Sequence, residues 1–118
     1  MILSSFPVTI ISRRNTGLGG EQYNFQFLDQ SAESTLQRLL TLLPVNGAVS
    51  VPSPSSGDCY LEVRRAASGF EINEGRHGCA GTWRGAAEQE ALVWLLRGAS
   101  CSETKRSGWQ LDLPPAQS

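Results

Sequence analysis

The chain has 118 residues, 40% of them hydrophobic and 18% charged, with ten Lys and Arg against eleven Asp and Glu. That balance excludes the disordered and fibrous classes, and a chain of this length buries roughly two thirds of its surface on folding, so residues 1–118 read as a single domain needing no metal or disulfide support. A net charge of -1 and a pI near 5.8 remove the positive field that nucleic-acid binding draws on, and no polybasic run suits an anionic membrane surface.

Phe6, Val8 and Ile10 alternate with Pro7, Thr9 and Ile11, which predicts a first strand that Pro7 pushes to an edge or to a start near residue 8. The run Arg13 to Gly20 holds three glycines, and after it Tyr23, Phe25 and Phe27 alternate with Asn24, Gln26 and Leu28. This reads as a hairpin whose second strand turns an aromatic face to the core and a largely amide face outward. Leu36, Leu39, Leu40 and Leu43 stand at i, i+3, i+4 and i+7 after the candidate caps Asp29 and Ser31, and Pro44 with Gly47 ends that helix. Ala48 to Val51 suits a short strand, and Pro52 to Gly57 a surface loop.

Cys59, Leu61 and Val63 alternate with Tyr60, Glu62 and Arg64, and Phe70 and Ile72 alternate with Glu71 and Asn73 across Ala66-Ala67-Ser68-Gly69, a second hairpin. Glu74 to Gly78 is a turn, and Cys79 to Trp83 adds another strand to the meander. A second helix runs from Ala86 to Leu96, with Glu88 and Glu90 near its positive end and Arg97-Gly98 closing it. Ser100 to Gly108 reads as a polar, mobile stretch. Trp109, Leu111 and Leu113 then form a last strand before Pro114-Pro115, with Trp109 expected to pack on the second helix in preference to standing at an edge as an interface anchor. The order β-β-α-β-β-β-β-α-β has too few helices for a doubly wound parallel sheet and predicts an α+β fold: a mainly antiparallel sheet with two helices on one face.

The first residues lack the positive n-region of a signal peptide, and no apolar run approaches the roughly 20 residues that span a bilayer, so a soluble chain is expected. Cys59, Cys79 and Cys101 have neither the CxxC pairs of zinc sites nor the density of a disulfide scaffold, which points to reduced thiols in a cytoplasm.

Gly17-Leu18-Gly19-Gly20 beside Arg13 and Arg14 invites a phosphate-loop reading, but a phosphate loop opens a helix and here a strand follows, so a hairpin turn is favoured over an anion site. His77 and Cys79 could form half a metal or nucleophile site, yet His77 is the sole histidine and too few partners exist; a structural Cys79 and solvated His77 fit better. Ser55-Ser56-Gly57 lacks the nucleophile elbow. Glu62 and Glu71 are paired carboxylates, but Arg64, Arg65 and Arg76 beside them favour the ionised state, which suits a solvated or partner-binding face better than glycosidic acid catalysis. No metal or cofactor is expected. With so little catalytic equipment a binding role is favoured, a small cytosolic enzyme of unrecognised class being the alternative.

The strand pair Tyr60 to Arg65 and Gly69 to Glu74, then Gly81-Thr82-Trp83, then the helix Ala87 to Leu96, resembles small bacterial immunity proteins of toxin-immunity pairs in its hairpin-strand-helix rhythm, in chain size and in slight acidity. The resemblance covers about the second half of the chain. It implies a cytoplasmic protein that binds a cognate toxin domain, blocks its active site or a nearby surface, and has no catalytic residues of its own. This chain departs from the more acidic members in being nearly neutral, which argues against a purely electrostatic plug. A phage or secretion-system accessory protein would share these features, and an exposed edge leaves room for a homodimer.

The expected partner-facing residues are Asp58, Glu62, Arg64, Glu71, Asn73, Glu74 and Arg76, placed by strand alternation away from Leu61, Val63, Phe70 and Ile72. The face of Gln22, Asn24 and Gln26 with the loop from Arg13 to Gly20 is the second candidate.

Overall fold

The hydrophobic stripes of the sequence find their partners in one seven-stranded antiparallel sheet. The computed structural model describes residues 3–17, 19–28, 32–51, 60–75, 83–100 and 102–115. A single 3-10 turn, Leu3–Ser5, leads into β1 (Val8–Asn15) and β2 (Glu21–Phe27), followed by α1 (Ala32–Leu42), β3 (Ala48–Val51), β4 (Tyr60–Ala66), β5 (Gly69–Gly75), β6 (Arg84–Ala86), α2 (Glu88–Ala99), α3 (Ser102–Ser107) and β7 (Trp109–Leu113). The α+β class and the order of strands and main helices agree with the sequence reading.

The spatial order is β1-β2-β7-β3-β4-β5-β6. The last strand therefore lies between the N-terminal hairpin and the β3 to β6 meander, antiparallel to both neighbours, with Tyr23 opposite Leu111 and Leu111 opposite Val49. The same inward row continues through Val63 and Ile72. These side chains meet Leu36, Leu39 and Leu40 of α1 and Ala91 and Leu95 of α2 in one core. The leucine stripe of α1 is buried because the helix lays that face on the sheet side; its opposite face carries polar residues such as Gln37 and Thr41. Arg65 supplies what α1 lacks at its C-terminus, since no basic residue stands in its last turn: the guanidinium donates to the Leu40 carbonyl at 3.1 Å while lying 4.9 Å from the centre of the Phe70 ring.

Several boundaries differ from the sequence reading: α2 starts at Glu88, with Ala86 in β6, and β5 runs on to Gly75. β1 continues to Asn15, because Arg13 and Asn15 find partners in Tyr23 and Glu21, and the hairpin is closed by Thr16 donating its N–H to the Gly20 carbonyl at 2.8 Å. The strand expected over 79–83 is found at Arg84–Ala86, while residues 76–82 lie outside the described part. The stretch expected to be mobile contains α3, which ends in a left-handed glycine cap: Gly108, at φ 83°, donates its N–H to the Thr104 carbonyl at 2.8 Å. Trp109 follows at once, fully packed, edge-on to Phe27 with centroids 5.9 Å apart. The loop 52–57 and Cys59, His77, Cys79 and Cys101 also lie outside the described residues. Among the described residues no helix is long and apolar enough to cross a membrane.

Gly98 does not close α2; it lies inside a helix that runs one residue further, to Ala99. Its role is close approach, since a Cβ there would stand 2.9 Å from Cγ2 of Val51 and 3.4 Å from Cδ2 of Leu61, both buried and already packed. Gly98→Ala is therefore expected to destabilise by about 1 to 3 kcal/mol from overpacking, outweighing the gain of up to about 1 kcal/mol in helix propensity. Gly85→Ala meets no atom within 4 Å and should be near neutral. Chemical denaturation of the two variants checks both, and equal stabilities would remove the close-approach account.

Candidate functional site

Strand alternation places one set of side chains against α1 and α2 and the other on a face that neither of them covers; at its margin Gln26 donates from Nε2 to the Lys105 carbonyl of α3 at 3.4 Å. Because β7 joins the two halves of the sheet, that second face is continuous. One row runs Ser12, Asn24, Gln110, Ser50, Glu62, Asn73 and the next runs Arg14, Gln22, Asp112, Ala48, Arg64, Glu71. The two candidate faces of the sequence, one around Glu62 and Glu71 and the other around Gln22 and Asn24, are thus parts of a single surface.

Glu62, Arg64, Glu71 and Asn73 are brought together on it as expected. Glu74 is not. It stands opposite Leu61 and shares its parity with Ile72, so it leaves β5 on the helix side, where it lies 3.8 Å from Arg84. Arg84 in turn donates to Glu90 of α2 at 2.6 Å and lies 5.3 Å from the centre of the Trp94 ring, a clamp between sheet edge and helix rather than part of the open face. Asp58 and Arg76 lie outside the described residues.

At one side of the open face Arg64 donates from Nε and Nη2 to Glu71 Oε1 at 3.3 and 3.0 Å. Its guanidinium carbon lies 3.9 Å from the centre of the Trp83 ring, close enough for a cation-π stack. Trp83 precedes Arg84, which faces the helices opposite Ile72, so the alternation of β6 throws the indole onto the open face, half-buried. Towards the middle, Asp112 accepts from Gln22 Nε2 at 2.8 Å and from Gln110 Nε2 at 3.1 Å, tying β2 and β7 by side chains as well as backbone. Ser50 and Ala48 between these groups are small and buried. Asn73 Oδ1 is closed off from solvent and has no hydrogen-bond partner among the described residues. Two arginines and three carboxylates among the described residues of these rows leave the face almost neutral.

Sequence reasoning missed Gln110 and Asp112 as members of this surface, and it did not assign Trp83. The alternation within residues 109–113 was visible, but the position of that strand in the sheet was not. The signal for Trp83 was its odd-even relation to Arg84 and Ala86, legible only once β6 is placed.

The loop considered as an anion site has its first arginine already engaged. Arg13 donates to Glu21 Oε1 at 2.6 Å, and the Tyr23 hydroxyl donates to Glu21 Oε2 at 2.6 Å. The Tyr23 bond first and the Arg13 bond second hold the Glu21 carboxyl below its ordinary value of 4.5, while the bond to Glu21 and then burial raise the Tyr23 phenol above its ordinary 10.0. Among the described residues no three His, Cys, Asp or Glu side chains are grouped to hold a metal ion. Comparison with protein-family models, with curated proteins and with solved structures finds no match to this chain.

The hairpin network has a defined pH dependence. Glu21 is more acidic folded than unfolded, so its stabilisation is complete above the unfolded value and is lost as pH falls through the lower folded one; Tyr23 is less acidic folded, so its share is present below the unfolded value and is lost as pH rises through the higher folded one. The Tm difference between wild type and Glu21→Gln is expected to hold constant from about pH 6 to 9 and to shrink below about pH 4. Thermal melts followed by circular dichroism test this, and a difference unchanged at low pH would refute it.

Proposed function

We propose that this protein binds another protein through the open face of its sheet, and that it is an immunity protein which neutralises a cognate bacterial toxin in the cytoplasm. The observation that carries the binding reading is the Trp83-Arg64-Glu71 stack on the face that α1 and α2 leave uncovered. A sheet face that only meets water has no use for a half-buried indole, whereas Trp and Arg are the residues enriched where binding energy concentrates. The Gln22-Asp112-Gln110 ladder supports the same reading, because side chains already fixed by one another lose less conformational freedom on docking. The near-neutral charge favours a partner recognised by shape, stacking and paired hydrogen bonds over one held by a strong opposite field. The toxin-neutralising part of the proposal rests on the resemblance of the β4 to α2 segment to immunity proteins.

Trp83→Ala is expected to weaken partner binding by at least about 2 kcal/mol, some thirtyfold, and Glu62→Lys or Glu71→Lys to weaken it as well, with cooperative unfolding retained in all three. Tagged wild type and these variants would serve as matched baits in a native lysate at high salt, with mass spectrometry of what is retained. A single protein held by wild type and lost from the variants supports the binding face. Growth arrest when that protein is expressed alone, relieved by co-expression of this chain, supports neutralisation. A partner retained equally by all baits rejects the face, and a partner harmless to growth rejects the immunity reading.

A further inference from the structure

Beyond the open face, the sheet has a second unmet demand at its margin. Of its two edge strands, β6 has three residues and β1 has eight. Seven of the eight residues of β1 are exposed, so its outer backbone N–H and C=O groups face solvent along almost its whole length. Edges of this length are usually blunted by lysines, prolines or inward charges. Here Pro7 stops short of the strand, and the inward charge, Arg13, is folded back onto Glu21 and Tyr23. The remaining device is a register shift between Ile10 and Ser12, and it leaves Ile11 51% exposed beside Ile10 at 38%. Arg14 belongs to none of the ion pairs among the described residues.

We propose that β1 is a strand-addition edge that accepts an extended segment of a partner protein carrying a carboxylate opposite Arg14 and apolar side chains opposite Ile10 and Ile11. Backbone hydrogen bonds would supply affinity and the alternate side chains would supply selectivity. The inner neighbour shows the spacing that fits this strand: β2 sets Gln22 opposite Arg14 and Phe25 opposite Ile10. A segment with the same residue count therefore reads carboxylate, two residues, apolar residue from its N-terminus, with the two side chains on opposite faces. A second copy of this chain is a poorer occupant. Pairing β1 with β1 brings four arginines to one seam, and among the described residues the carboxylates beside them are the two Glu21 groups already held by Arg13 and Tyr23. This edge is distinct from the Trp83 surface, so either can fail alone.

The probe is a ten-residue capped peptide, Ser-Thr-Thr-Thr-Glu-Thr-Val-Val-Thr-Ser, titrated into the isotope-labelled full chain and compared with the same peptide carrying Lys for Glu. Saturable amide shifts and slowed hydrogen exchange along β1 are expected, with the Glu peptide binding about threefold to fivefold tighter than the Lys peptide. Arg14→Glu should reverse that order while leaving the melting curve unchanged, which separates charge selection from damage to the fold. Shifts confined to β6 or to the Trp83 end of the open face overturn the proposal. So do equal responses to the two peptides, an order unaffected by Arg14→Glu, no saturable response, and concentration-dependent protection of β1 without peptide.

Discussion

Everything about this sheet depends on β7 pairing on both of its edges. Without Trp109–Leu113 the N-terminal hairpin and the β3 to β6 meander would be two separate pieces, each with an unpaired strand flanking its own half of the core. The strand is short, yet Trp109 and Leu111 are buried on one face while Gln110 and Asp112 bind or face their neighbours on the other. Leu111 stands in a row of side chains from Tyr23 to Ile72 that no other strand could complete. The continuity of the polar face is a consequence of the same pairing. The hydrophobic demand that places β7 in the middle therefore also creates the surface on which the binding proposal rests.

Placing both main helices on one side divides the labour of the two faces. The helix side uses arginine to secure packing: Arg65 on the end of α1 and the Phe70 ring, Arg84 between Glu74, Glu90 and Trp94, Arg38 4.6 Å from the Phe6 ring centre. On the open side the same residue type meets an indole that has no core to complete. A planar guanidinium can stack on a ring and donate in its own plane at once, as Arg64 does with Trp83 and Glu71, and an ammonium cannot do both. Nine of the ten basic residues are arginine, so the fold has this option at nearly every cationic position.

Local periodicity carried most of the element assignment. The leucines of α1, the alternation in β2, β4 and β5, and the four residues of β3 are patterns with one physical solution each, a face to be buried. Helix α3 was hidden because six polar residues carry no stripe, and its one signal was Gly108 standing just where a left-handed cap is needed. Gly98 misled for the opposite reason: glycine after arginine late in a helix resembles a stop, while the actual constraint was the approach of Val51 from a strand nearly fifty residues earlier. Glu74 leaves the expected face because β5 runs on to Gly75 where the sequence reads as a turn from Glu74, so strand alternation still applies and sends it towards Arg84. Four of the seven expected partner-facing residues share the open face, since their grouping needed only one hairpin. Their union with Gln22 and Asn24 needed the position of β7, and no local pattern in residues 109–113 encodes which strands will flank it.

The central position of β7 also sets the sequence of events by which the chain acquires its structure. Gln22 and Asp112, which meet across β2 and β7, are 90 positions apart. Loop closure over such a span is entropically costly before any long-range contact rewards it, whereas the hairpin and the meander are built from contacts between neighbours in sequence. Until β7 pairs, the inner edges of β2 and β3 are both bare, and like the outer edge of β1 each can template intermolecular pairing. A truncation at Leu111 would therefore act twice, removing a fully buried side chain from the finished core and weakening the strand whose pairing closes these edges.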